Sequence, residues 1–214
     1  MSPSTAFRAK SSTTERRAPR GQSFIEAMVA ITIIITAISS SLALIQSSIT
    51  ASRIGGLQVV AANLAREGIE VIRAMRDTNW LQGRSFQVGL VDAGGEKVTR
   101  PFLDQEDGES TLAFGGTTIS DDSSRVYVMP DGLFRQADSQ PSGSTVSPYN
   151  RIAVLDHICR MDATGAERIV DGTATCTAGT ETLVGLAVTV TVRWMGVGGR
   201  YQTLVASEHL YDWR

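Results

Sequence analysis

Few residues in this 214-residue chain have the type and spacing to do chemistry. Glu26 heads a run of 26 residues, Ala27 to Ser52, in which nothing is charged and 16 side chains are Ala, Val, Ile, Leu or Met. A carboxylate at the edge of so apolar a segment is costly and calls for a partner charge. Cys159 and Cys176 lie 17 residues apart and form either a disulfide or two unpaired thiols. Asp104, Glu106, Asp107 and Glu109 surround Gly108 with oxygens of the kind calcium takes. Their spacing matches no calcium loop, and a solvated acidic surface is the plainer reading. His157 and His209 are the only histidines, and neither sits in a nucleophile or metal motif. The chain contains no convincing G-x-S-x-G, P-loop, H-E-x-x-H or paired-carboxylate arrangement. These residues predict a protein that is not an enzyme and holds neither cofactor nor metal.

The elements that position Glu26 begin with a basic leader. Met1 to Gly21 holds Arg8, Lys10, Arg16, Arg17 and Arg20 against Glu15, in a background of Ser, Thr, Ala and Pro with little to bury. The apolar run that follows has the roughly 20-residue length needed to cross a bilayer. Basic residues before it predict an N-terminus held in the cytoplasm and an outward-facing remainder. An ordinary secretory signal, cut near Ser41-Leu42-Ala43, is one alternative, and a plain signal anchor is another. Both leave Glu26 without a role. The overall charge of -2 conceals this segmentation. Of 20 basic and 22 acidic side chains, the leader takes five and one, leaving 15 and 21 in the rest. Bulk charge therefore offers no case for nucleic-acid binding, and two cysteines exclude a disulfide-dense scaffold.

The junction Arg20-Gly21-Gln22-Ser23-Phe24-Ile25-Glu26 resembles the N-terminus of type IV prepilins and pseudopilins. The resemblance implies that a membrane aspartyl peptidase cuts after Gly21 and N-methylates Gln22. It also implies that Glu26 neutralises the N-terminal amine of a neighbouring subunit, while apolar contacts from Phe24 to Ile49 form a filament core. Gln22 and Ser23 stand where Phe and Thr are usual, which leaves processing in place and puts methylation in question. An N-terminal Gln that cyclised would lose its charge and deprive Glu26 of that partner.

Residues 22–53 are thus expected to form a transmembrane or filament-core helix. Beyond Arg53-Ile54-Gly55-Gly56, residues 54–80 read as an amphipathic spine. Leu57, Ala61, Leu64, Gly68, Ile72 and Met75 share one face, Arg66, Glu67, Glu70, Arg73 and Asp77 lie mainly off it, and Glu70 is within reach of Arg73. The helix is expected to end near Asp77-Thr78-Asn79, with Ser39-Ser40-Ser41 and Gly55-Gly56 as weak points. The stretch Ala62 to Glu70, running on to Arg76-Asp77-Thr78-Asn79-Trp80, also resembles bacterial minor prepilins, in which this half of the helix supports a sheet.

Residues 81–214 read as an extracellular β-rich domain. Strands are expected over Phe86–Val91, Thr111–Phe114, Arg125–Met129 and Arg151–Leu155, with Pro130-Asp131-Gly132 turning Val126–Val128 into Leu133–Phe134. Ser139–Ser144 reads as an exposed loop. Leu186, Val188, Val190, Val192 and Trp194 alternate onto one face, and Gly196–Gly199 turns the chain into Tyr201–Tyr211, whose buried face the pattern leaves open. The fold expected is α+β and type IV pilin-like: a long N-terminal helix packed on a C-terminal antiparallel sheet. The function the resemblance implies is that of a minor type IV pilin, serving adhesion, motility or DNA uptake. Its implied partners are other pilin subunits, prepilin peptidase, an assembly platform with its ATPase, and the membrane before assembly. A pseudopilin, or a membrane-anchored binding domain that never polymerises, is the alternative.

Overall fold

The computed structural model describes residues 24–103, 110–115, 118–171 and 174–212. The chain divides into two units, Met1–Ser48 and Ile49–Arg214. One helix, α1 (Phe24–Leu81), runs through the boundary without interruption at Ser39–Ser41 or Gly55–Gly56. In the first unit the described residues are helical throughout, and their apolar side chains are exposed.

In the second unit the spine half of α1 lies on an eight-stranded antiparallel sheet: β1 (Val98–Leu103), β2 (Ser110–Phe114), β3 (Arg125–Val128), β4 (Phe134–Gln136), β5 (Thr145–Met161), β6 (Glu167–Val170), β7 (Glu181–Met195) and β8 (Tyr201–Tyr211). β5 is the organising strand. It pairs along its length with β7, and its other edge takes β3, β1 and β6 in turn. β8 completes the sheet beyond β7.

The alternation in β7 gives the core its floor. Leu186, Val188, Val190, Val192 and Trp194 are all buried, and Ala61, Leu64, Ala65, Ile69 and Ile72 of α1 close over them. Burying each such Val, Leu or Ile stabilises by roughly 1.5–3 kcal/mol. Gly68 lets helix and sheet approach, since a Cβ there would stand 3.1 Å from Val190 Cγ1. The helix runs from Leu57, whose carbonyl accepts from the Tyr149 hydroxyl at 3.1 Å, to Trp80, whose Nε1 donates to Asp212 at 3.2 Å.

Several expectations are corrected. α1 ends four residues beyond Asp77 because Asn79 and Trp80 are needed inside. The Asn79 amide donates to the carbonyls of Phe86 and Val88 at 3.2 and 2.7 Å. The stop is Gly83, at φ 68°, with Arg84 N–H on Asn79 O and Gly83 N–H on Trp80 O, a Schellman arrangement that satisfies the last carbonyls. Phe86–Val91 is a run of turns: Phe86 and Leu90, four apart, turn inward together, and Leu90 N–H and Val91 N–H both bond Gln87 O. β1 and β6 lie outside the expected strands. β8 buries Leu204, Ala206 and Leu210 at least in part and leaves Val205 58% exposed, which decides its face. Glu208 shares the inward face and is held there by an ion pair with Arg73.

Candidate functional site

The first candidate site is the apolar half of α1. Glu26 lies in its first turn, where the helix dipole favours an anion. Phe24 begins the helix and is 79% exposed. Gly21 and Gln22 lie outside the described residues. Seven hydroxyl residues between Thr32 and Ser48 make this segment less greasy than an all-aliphatic helix, but five of them bond their own helix. Thr32, Thr36, Ser40, Ser41 and Ser47 donate to carbonyls three or four residues earlier, at 2.8–3.0 Å. These hydroxyls need no solvent, so the helix presents an almost wholly apolar surface despite its composition. By length and composition it is able to cross a membrane.

The second unit contains a polar knot. Arg151 is 2% exposed on the core face of β5. Its guanidinium donates to Gln136 Oε1 at 3.1 Å, Leu64 O at 3.0 Å and Pro101 O at 3.1 Å, and Nη1 lies 3.3 Å from Glu67 Oε1. One side chain thus ties α1 to β1, β4 and β5. Burial lowers its pKa and the Glu67 carboxylate partly offsets this. Arg151 was within reach of sequence reasoning, because Tyr149, Arg151, Ala153 and Leu155 alternate onto one face. Beside it, Glu67, Val60, Leu64, Leu133 and Phe134 line a groove of about 380 Å³ between α1 and the β3–β4 hairpin.

Lys97 is a second buried cation. It bonds the Val170 carbonyl and lies 3.7 Å from Asp156, whose pKa is raised by burial against the pull of Lys97. His157 is buried at this position, and desolvation, then the Lys97 charge, lowers its pKa. His209 is exposed, its ring 6.3 Å from that of Tyr211.

Cys159 and Cys176 are joined in a disulfide with Cα atoms 5.5 Å apart. A closed loop of this size contributes roughly 3 kcal/mol. The same loop is held by Glu181, which accepts from Thr177 N–H at 2.8 Å and pairs with Arg168 at 2.6 Å. Arg168 first, then the Thr177 amide, hold the Glu181 carboxyl down to about 2. Asp104, Glu106, Asp107 and Glu109 lie outside the described residues. Among the described residues, no three His, Cys, Asp or Glu side chains gather to hold a metal ion.

The fold and these groups define an α+β chain with one long apolar N-terminal helix and an antiparallel sheet carried on its second half. No family model, curated protein or solved structure matches the chain.

Proposed function

We propose that the chain is a minor type IV pilin, made as a membrane-held precursor and assembled into a pilus or pilus-like filament. Cleavage after Gly21 exposes Gln22 as the new N-terminus, and Phe24 to Ile49 enter a helical bundle with other subunits. Glu26 pairs with the amine of an adjacent subunit, a charge pair that an apolar bundle tolerates only when both members are present. The observation that carries this reading is Glu26, the one charge at the head of an apolar segment in which five of the seven hydroxyl residues between Thr32 and Ser48 donate to the helix's own carbonyls. A prepilin peptidase and an assembly platform with its ATPase are the partners required.

Glu26→Ala is expected to leave the chain in the membrane fraction while abolishing its appearance in sheared filaments. Gly21→Ala is expected to retain the leader, seen as a slower band on a gel. Filaments that take up the chain without Glu26 would refute the pairing role given to that carboxylate, and loss of the leader without Gly21 would refute cleavage at that site. An anchored binding domain would be indifferent to both changes, and a pseudopilin would respond to both while losing secretion rather than surface pili.

A further inference from the structure

The exposed apolar side chains of the second unit include a group at one end of its sheet. Leu133, Val146, Met195, Val197 and Tyr201 are 56, 48, 49, 50 and 59% exposed. Leu133 and Val197 lie in two turns, one between β3 and β4 and one between β7 and β8; Met195 and Tyr201 flank the second turn, and Val146 lies near the start of β5, opposite Tyr127. This is the end at which α1 enters the unit. Leu57 O accepts from Tyr149, Tyr149 pairs with Trp194, and Val60 and Leu133 line one groove. The far end of β5 and β7 carries Met161 and Ile169, 37 and 50% exposed, set among the charge pairs Arg160–Glu167 and Arg168–Glu181.

The near end carries Arg53, Arg193 and Arg200, with Asp121 and Asp122 beside Ser120, to which Arg193 donates at 2.9 Å, and Asp122 paired with Arg125 at 2.9 Å. Arg53 and Arg200 are exposed, and the Arg193 guanidinium lies 4.4 Å over the Tyr201 ring. Asp131, the acid of the two turns, is paired with Arg135 at 3.5 Å. Ser52 closes the uncharged stretch. Leu57 follows after a rise of about 7 Å at 1.5 Å per residue. Headgroup layers add about 5–8 Å on each side of a roughly 30 Å hydrocarbon core. The uncharged stretch is about 39 Å long at that rise, so where helix tilt or the inner headgroup layer takes up the roughly 9 Å beyond the hydrocarbon, the first turn of the spine that touches the sheet is at headgroup depth.

We propose that this end of the sheet is a bilayer-docking surface. Leu133 and Val197 at the turn tips enter the interfacial region, Tyr201 lies at the headgroups as aromatic residues do, and Arg53 and Arg200 meet the phosphates of anionic lipid. The docking rests on the membrane-spanning reading of the apolar helix, and applies to the subunit before assembly.

The test uses the full chain in vesicles of phosphatidylcholine, with and without phosphatidylglycerol, carrying brominated acyl chains. Val197→Cys and Leu133→Cys are labelled separately with an environment-sensitive fluorophore, the native cysteines staying in their disulfide. Thr164→Cys, in the exposed turn between β5 and β6, is the reference. Severalfold stronger quenching at 197 and 133 than at 164 is expected, increasing with phosphatidylglycerol. Leu133→Asp combined with Val197→Asp is expected to abolish quenching of a probe at Val146→Cys without changing flotation. Failure to float overturns the membrane-spanning reading and the docking with it. Flotation with probes at 133 and 197 no more quenched than at 164 overturns the docking alone. Crosslinking between copies through Val197→Cys without lipid quenching also overturns it, and makes this end a subunit contact.

Discussion

Arg151 shows how a single charged residue organises the second unit. A buried guanidinium is expensive unless its donors are used, and here four oxygens use them: Leu64, Pro101, Gln136 and Glu67. Glu67 is 44% exposed and recovers water when its partner is removed, so the penalty for losing Arg151 falls mainly on the other three. Arg151→Met, which keeps the apolar stem, is therefore expected to lower stability by about 3 kcal/mol. Glu67→Gln is expected to cost under about 1 kcal/mol. Urea denaturation of both variants checks the order, and equal losses would contradict it. Glu181, whose side chain is 8% exposed beside the more exposed Arg168, makes the corresponding case at the disulfide-closed loop. Its folded pKa is depressed to about 2, so its ionised form is favoured by folding. The stabilisation is present in full above the ordinary carboxylate range, declines as pH falls below it and is gone once pH has fallen through about 2. The carboxyl carbon of Glu181 is expected to titrate there by NMR, and Arg168→Gln to return it toward the ordinary value.

Between elements, the decisive contact is that of Gly68 on Val190. A methyl group at 3.1 Å from Val190 Cγ1 is tight, while replacing a helical Gly gains up to about 1 kcal/mol of propensity. Gly68→Ala is accordingly expected to be near neutral, whereas Gly68→Leu overpacks the interface and costs about 2 kcal/mol or more. Val190→Ala introduced into Gly68→Leu is expected to recover over half of that loss, and a double-mutant cycle with no coupling would rule out the contact as its cause. This face of α1 was predictable because apolar residues recur on one side of a long helix, and β7 because its alternation is uninterrupted. β1 and β6 were hidden for a physical reason. Val98–Leu103 contains Arg100 and Pro101, and Glu167–Val170 has two charged residues in four. β1 is a strand through pairing with β2 along most of its length and with β5 at its start, and β6 through pairing with β5, rather than through any local pattern. The end of α1 falls past the expected one for the converse reason: Asp77-Thr78-Asn79 looks like a boundary, while tertiary bonds from Asn79 and Trp80 carry the helix on to Leu81, where Gly83 caps it.

For the whole molecule, two readings rest on different kinds of observation. The order of basic segment, apolar run and amphipathic spine is written locally in charge and hydropathy, and the assembly function proposed for it hangs on Gly21 and Glu26. The second unit is a folding problem of its own. Every residue of its main core lies between Leu57 and Leu210, and the residues around Phe24 to Ile49 leave their large apolar side chains in the open. A surface of that kind drives association unless bilayer or other chains cover it. A chain beginning at Ile54 should then keep the core, the Arg151 knot and the disulfide while losing the cause of association. It is expected to be soluble without detergent and monomeric by sedimentation, and to unfold in one cooperative transition. The same chain with its N-terminal half restored should require detergent or vesicles to remain dispersed. Loss of cooperative unfolding in the shortened chain would show that residues before Ile54 contribute to the core.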